Sequence, residues 1–172
     1  MDSEVIDRII ANHFDLNADY TSNSLKESFP RGIDVEVINF DVLTKAYNEA
    51  TEKYEKEHVT PFIYKTHPED FKINIYTESE DNSNIRVTLD TPQDYALLCS
   101  IYDNLYEKNN FFSLEDILEL FSKKPWLKTI NSDIIQKKVC SNLSEELEEA
   151  IHLCEVQDLN KASEFIKNHF GV

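Results

Sequence analysis

The 172-residue sequence predicts an α/β layer followed by a helical C-terminal appendage. Three observations carry this. Stretches that alternate apolar and polar residues interleave with stretches of helical period as far as residue 124. Beyond Pro125 only the helical period remains. Finally, 41% hydrophobic residues are enough to bury a core, at a length that suits one domain or a piece of a larger one.

The elements follow in order. Ser3 is the expected N-cap of a first helix whose Ile6, Ile9, Ile10, His13 and Phe14 recur on one face. Because the chain presents an apolar face at once, it is expected to begin in mid-domain. A short extended piece, Asp19-Tyr20-Thr21-Ser22-Asn23, precedes a turn around Phe29-Pro30-Arg31-Gly32. A strand then reads from Val35 to Phe40, followed by a helix with Leu43, Ala46, Tyr47 and Ala50 on one face, and a second helix from Val59 to Tyr64. Phe71, Ile73 and Ile75 alternate with polar residues, as an antiparallel or edge strand requires. Ile85, Val87 and Leu89 alternate with Arg86, Thr88 and Asp90 and predict another strand. It stops where Thr91, Pro92 and Asp94 supply the cap, the first helical position and the acidic third position of a helix. Tyr95, Leu98, Tyr102 and Leu105 are the expected buried face of that helix. Ser113 caps the next, which bears Leu114, Ile117, Leu118 and Phe121. In the tail, Leu147, Ala150, Ile151 and Cys154 line one helix. Leu159, Ala162, Phe165, Ile166 and His169 line the last, with Asp158 as its cap.

Composition excludes several functions. With 17 Lys+Arg against 33 Asp+Glu the formal charge is −16, and Arg8, Arg31 and Arg86 are the only arginines. A general nucleic-acid binder needs clustered basic residues for phosphate contacts, so no nucleic-acid partner is expected. Two glycines, Gly32 and Gly171, cannot build a dinucleotide fingerprint or a P-loop. Cys99, Cys140 and Cys154 form no C-x-x-C pair, which argues against disulfide frameworks and cysteine zinc sites and for a reducing compartment. The acidic start lacks a signal-peptide layout, and no apolar run approaches the roughly 20 residues that span a bilayer. A cytoplasmic protein without a membrane partner is expected.

Asp90 is the leading candidate for chemistry. It ends a predicted strand at a strand-to-helix junction and shares a face with Arg86 and Thr88. Ligands of open α/β sheets bind outside the carboxyl ends of strands, and a carboxylate there suits a hard cation such as Mg²⁺. A turn aspartate that satisfies free backbone amides fits the same pattern. Around Gly32, Arg31 has the geometry to clamp a carboxylate bidentately, and Asp34 or Glu36 to accept sugar hydroxyls. The same residues also make an ordinary surface turn, and pattern alone favours that. His58, at the start of the predicted 59–64 helix, has no partner spaced for a triad or zinc site, so it is read as structural or substrate-orienting. The acidic cluster at Glu145, Glu146, Glu148 and Glu149 is read as a solvated helix face.

Three ordered segments carry a resemblance: Phe29-Pro30-Arg31-Gly32-Ile33-Asp34-Val35-Glu36-Val37, then Glu57-His58-Val59-Thr60-Pro61-Phe62-Ile63-Tyr64, then Arg86-Val87-Thr88-Leu89-Asp90-Thr91-Pro92-Gln93-Asp94-Tyr95. Over residues 2 to 138 the chain resembles the C-terminal half of cytidylyltransferase-type proteins of spore coat polysaccharide biosynthesis. These are similar to acylneuraminate and 3-deoxy-manno-octulosonate cytidylyltransferases. The resemblance implies a partial nucleotide-diphosphosugar-transferase-like (Rossmann-like) layer at 1–138 and a helical tail at 139–172. It implies transfer of CMP from CTP to an acidic sugar with release of pyrophosphate, Mg²⁺ as cofactor in a full-length context, and a homodimer joined through the segment from Arg31 to Tyr64.

By the same resemblance Asp90 matches a metal-binding aspartate, while Gln93 stands where the family has Glu. Arg31, Asp34, Glu36 and His58 fall on the sugar-facing side. The family's glycine-containing CTP loop and its other metal-binding aspartate have no counterpart here. The chain alone is therefore expected to bind CTP poorly and to be inactive. A non-catalytic interaction module derived from the family and a sugar-nucleotide-dependent glycosyltransferase are the alternatives.

Overall fold

The computed structural model describes residues 2–134, 140 and 142–171. The boundary expected between residues 138 and 139 falls outside them. Two compact units, Met1–Ile134 and Ile135–Val172, are taken in turn.

The first unit opens with helix α1, Ser3–Asp15. Its cap is Asp2 rather than Ser3. A carboxylate can serve several donors, and Asp2 Oδ1 accepts from the backbone N–H of Glu4 at 2.8 Å and of Val5 at 3.4 Å. Its other oxygen, Oδ2, accepts from the Leu114 N–H at 2.6 Å. Val5, Ile9 and His13 face inward, while Phe14 is exposed.

Three short strands form one sheet in the order β2-β1-β3: β1 is Tyr20–Ser22, β2 Glu36–Ile38 and β3 Ile73–Ile75. β1 and β2 are antiparallel, with Thr21 opposite Val37. β1 and β3 run parallel, with Thr21 opposite Asn74, so β3 is an edge strand but not an antiparallel one.

Successive residues of β1 serve opposite faces, as the pleat requires. Tyr20 packs with Val42, Ala46, Phe62 and Ile63. On the other side Thr21 Oγ1 meets His13 Nδ1 at 2.9 Å, and His13 Nε2 lies 3.2 Å from Asn39 Oδ1. Asn39 Nδ2 donates to the Ala18 carbonyl, so its oxygen is the group left to accept from His13. A larger cluster gathers Val5, Ile9, Phe29, Ile33, Val35, Ile85, Val87, Leu97, Ile101, Ile117 and Phe121.

Helix α2, Phe40–Glu49, buries Val42 and Ala46 and leaves Tyr47 exposed, so its inward face is turned from the one expected. The helix expected at Val59–Tyr64 is replaced by α3, Lys53–His58, and a π-helical turn, Phe62–Thr66. A capping box between Glu52 and Glu55 starts α3 early. Val59 at φ 66° ends it, and Pro61 has no N–H to carry the helix onward. His58 therefore stands at the end of a helix, not its start.

The strand expected at Ile85–Leu89 is reduced to one parallel bridge between Arg31 and Arg86. The Arg31 N–H donates to the Ile85 carbonyl and the Val87 N–H to the Arg31 carbonyl, each at 2.8 Å. Pairing cannot extend. Pro30 lacks an N–H, and Gly32 at φ 98° turns the chain away so that its N–H meets Asp34 Oδ2 at 3.2 Å. Leu89 is consequently exposed.

Helix α4, Pro92–Leu105, begins as expected: the Asp94 N–H reaches Thr91 Oγ1 at 3.1 Å and Pro92 occupies the first turn. Its buried face is Asp94, Leu97 and Ile101, one position away from the Tyr95, Leu98, Tyr102 set. Helix α5, Leu114–Lys123, carries a capping box between Ser113 and Asp116 and buries Leu114, Ile117, Leu120 and Phe121. A 3₁₀ turn at Pro125–Thr129 closes the unit.

In the second unit α6, Leu143–Val156, and α7, Asn160–Phe170, pack together. Glu155 Oε1 accepts from Ser163 Oγ at 3.2 Å and from Lys167 Nζ at 2.6 Å. Leu159 caps α7, because Asp158 sits at φ 56° in the turn between the helices. Among the described residues no helix is long and apolar enough to cross a membrane.

A Cβ on Gly32 would stand 2.8 Å from the Val87 carbonyl oxygen and force a side chain into a positive-φ position. Gly32→Ala is therefore expected to cost about 1–3 kcal/mol, read as a lower urea midpoint at unchanged slope.

Candidate functional site

Five donors converge on one carboxylate. Asp94 is fully buried. Arg86 meets it bidentately, Nε to Oδ1 at 3.0 Å and Nη2 to Oδ2 at 3.0 Å. Oδ2 also accepts from Thr88 Oγ1 at 2.9 Å and from the Asp90 N–H at 3.1 Å. Asn131 Nδ2 donates to Oδ1 at 2.8 Å and to the Arg86 carbonyl at 3.1 Å. The Arg86 guanidinium, with help from Asn131, Thr88 and the Asp90 amide, holds the Asp94 carboxyl far below the usual carboxylate range despite its burial.

Asp90 stands at the rim of this cluster. Its backbone is tied to Asp94, its side chain is 70% exposed, and its Oδ2 lies 3.2 Å from Arg86 Nη2. The bridge between Arg31 and Arg86 brings the Arg31–Asp34 turn alongside. Arg31 pairs with Glu27 at 3.5 Å, and exposed Asp34 folds back on the Gly32 amide. Buried Asn23 holds the backbone beyond: its Nδ2 donates to the Ile33 carbonyl at 2.8 Å and its Oδ1 accepts from the Val35 N–H at 2.7 Å.

The remaining candidates lie elsewhere. Glu36, on β2, accepts from the buried Tyr20 hydroxyl, against which Tyr64 stacks with ring centroids 6.1 Å apart. Burial first, and the Glu36 charge second, push the Tyr64 phenol above its ordinary value. His58 is exposed at the end of α3, and no hydrogen bond or ion pair among the described residues joins its side chain to Arg31, Asp34, Glu36 or Asp90. The structure thus ties Asp90 to Arg86 by its side chain and Arg31 to Arg86 by the backbone bridge, leaves Asp34 on the Gly32 amide of the same turn, and keeps Glu36 and His58 apart from these contacts.

Sequence reasoning treated Asp94 only as a helix-start residue and did not register Asn131. The signal for Asp94 was present, since Arg86, Thr88 and Asp90 share one face immediately before it. Asn131 is 37 positions from its partner and carried none.

Removing one member of a buried ion pair leaves the other uncompensated, so Asp94→Asn is expected to cost about 3–5 kcal/mol. Asp90→Asn, at an exposed pair, is expected to cost about 1 kcal/mol or less. Urea titration of both variants checks this. Because the folded Asp94 carboxyl is depressed from its ordinary 3.8, its contribution is fully present above that pH and is lost as the medium becomes more acid. The stability difference between wild type and Asp94→Asn should accordingly shrink only in that acid range.

The Cytidylyltransferase family model matches residues 1–165. An uncharacterized protein of Methanocaldococcus jannaschii is 35% identical over 137 residues, covering 78% of this chain and 54% of that protein. The spore coat polysaccharide biosynthesis protein SpsF of Bacillus subtilis is 30% identical over 128 residues, 73% of this chain and 51% of its own length. A solved cytidylyltransferase from Leptospira borgpetersenii serovar Hardjo-bovis superposes with a TM-score of 0.69 at 27% identity, over 80% of this chain and 56% of that one. The chain therefore spans about half the length of the curated relatives it matches. The family match runs well past residue 138 into the helical tail, so the likeness is not confined to the α/β part. With the α/β architecture and the matched residues in agreement, this chain belongs to the cytidylyltransferase family.

Proposed function

We propose that the chain supplies the sugar-facing part of a nucleotidyltransferase that moves CMP from CTP to an acidic sugar for surface polysaccharide synthesis. On this reading it corresponds to the C-terminal half of its longer relatives, and a CTP-binding segment completes the site. The observation that carries the reading is Asp90: an exposed carboxylate whose backbone is fixed by Asp94 beside the Arg31–Asp34 turn.

Among the described residues no group of three or more His, Cys, Asp or Glu is gathered to hold a metal. Mg²⁺ does not require one, because it keeps water and substrate phosphate oxygens and takes one or two carboxylates from the protein. Asp90, a hard oxygen donor open to solvent, fits one such position. Bound there with the triphosphate, the cation would supply charge neutralisation at the phosphates. Arg31 is the group on this chain suited to the sugar carboxylate, with Asp34 and Glu36 as acceptors for its hydroxyls and His58 as an orienting residue.

Pairing of two copies of this chain is part of the reading. An apolar groove of about 850 Å³ runs along α2 and α3, lined by Phe40, Leu43, Ala46, Tyr47, Ala50 and Val59. Phe40 and Tyr47 are 81% and 86% exposed, and a two-fold contact would let each copy's aromatics enter the other's groove. The same groove favours the second reading, an interaction module without catalysis.

Two experiments decide. In the protein that joins this chain to a CTP-binding segment, Asp90→Asn is expected to keep the melting temperature and lose most metal-dependent pyrophosphate release. Turnover near wild type would remove Asp90 from the metal site, and no turnover in any arrangement would favour the interaction module. For the chain by itself, calorimetry is expected to find little CTP affinity. Sedimentation is expected to find a dimer that Tyr47→Glu converts to monomer without loss of stability; a strictly monomeric wild type would end the pairing proposal.

A further inference from the structure

Arg86 is shared between two carboxylates of very different exposure. Its Nη2 stands 3.0 Å from Oδ2 of Asp94, whose side chain is 0% exposed, and 3.2 Å from Oδ2 of Asp90, whose side chain is 70% exposed. Asp94 also engages Nε, so it grips the guanidinium through a fork, whereas the contact with Asp90 runs through Nη2. Thr88, Asn131 and the Asp90 amide lock Asp94 in that position. The fork matters electrostatically. A desolvated guanidinium seeks an anion, and Asp90 is a carboxylate that already touches it, so a weaker hold by Asp94 shifts Arg86 toward Asp90.

We propose that Asp94 is a positioning residue for Asp90: by holding Arg86 through a fork it limits the guanidinium to a single-nitrogen contact with Asp90, and it leaves the rest of that exposed carboxylate able to take a divalent cation. The inference rests on the reading of Asp90 as a cation ligand. It adds that the buried aspartate sets how tightly Asp90 binds. Loss of Asp94 would tighten the pair between Arg86 and Asp90 and weaken cation binding at Asp90. Loss of Arg86 together with Asp94 would restore that binding, because the competitor goes with its keeper. A role confined to stability has no such reversal.

The test is a Mn²⁺ titration, with CTP present, of the ¹⁵N-labelled protein that joins this chain to a CTP-binding segment, reading paramagnetic broadening of the amides of Thr88 to Thr91, with melting temperature recorded for every variant. Wild type is expected to broaden there and Asp90→Asn not to, which separates the site from diffuse attraction to an acidic chain. Asp94→Asn is expected to weaken the effect about fivefold, the scale of a partly exposed ion pair. The double variant Arg86→Gln/Asp94→Asn is expected to return to within about twofold of wild type. Should Asp94→Asn not fold alone, Arg86→Lys/Asp94→Asn takes its place, since it differs from the first double variant only in keeping the cation at residue 86. Wild-type binding in Asp94→Asn, or weak binding in both double variants, overturns the positioning role and leaves Asp90 as a ligand. Absence of local broadening in wild type removes Asp90 as a ligand, and the inference falls with it.

Discussion

The fork between Arg86 and Asp94 is the constraint on which the surrounding structure depends. Sealing an ionised carboxylate from water costs several kcal/mol unless its lone pairs are met, and here five N–H and O–H groups meet them. They come from three parts of the local chain: the 86–88 segment, the amide of Asp90 and the loop at Asn131. Satisfying Asp94 therefore sets the rotation of α4, turning Leu97 and Ile101 inward and Tyr95 and Tyr102 outward. It also presents the 85–87 backbone to Arg31, where Gly32 is the residue that can lie against Val87.

The starts of α4 and α5 were legible in the sequence because their chemistry is local. Thr91, Pro92 and Ser113 act within three residues of themselves, and the structure has them where the sequence placed them. Faces of helices were less legible. Periodicity alone cannot distinguish a tyrosine stripe from the adjacent one when a single buried ion pair decides the rotation. The π-helical turn after Pro61 and the positive φ of Val59 depend on packing of Phe62 and Ile63 under Tyr20, a contact between distant segments. In the candidate site, Asp90 was visible as a carboxylate at a junction. The turn at Arg31 took its interest from resemblance, and Asn131 was invisible.

The first unit supports its small sheet from both sides. A Tyr20-centred cluster lies on one face and His13 with Thr21 on the other, so three short strands are covered despite their length. This arrangement accommodates a family likeness that covers most of this chain and only about half of its curated relatives.

Asp2 has a consequence for how the unit holds together. Its carboxylate closes the start of α1 and also accepts from Leu114, 112 positions later at the start of α5. Such a contact pays its loop-closure entropy only after nearly the whole unit has come together, so it belongs to the last stage of folding. It also couples the fraying of two helix termini that are remote in the chain. Opening α5 strips α1 of the geometry that holds its cap, and release of the first residues exposes an amide of α5. Amide exchange at the two ends should then report a single cooperative opening rather than two independent ones.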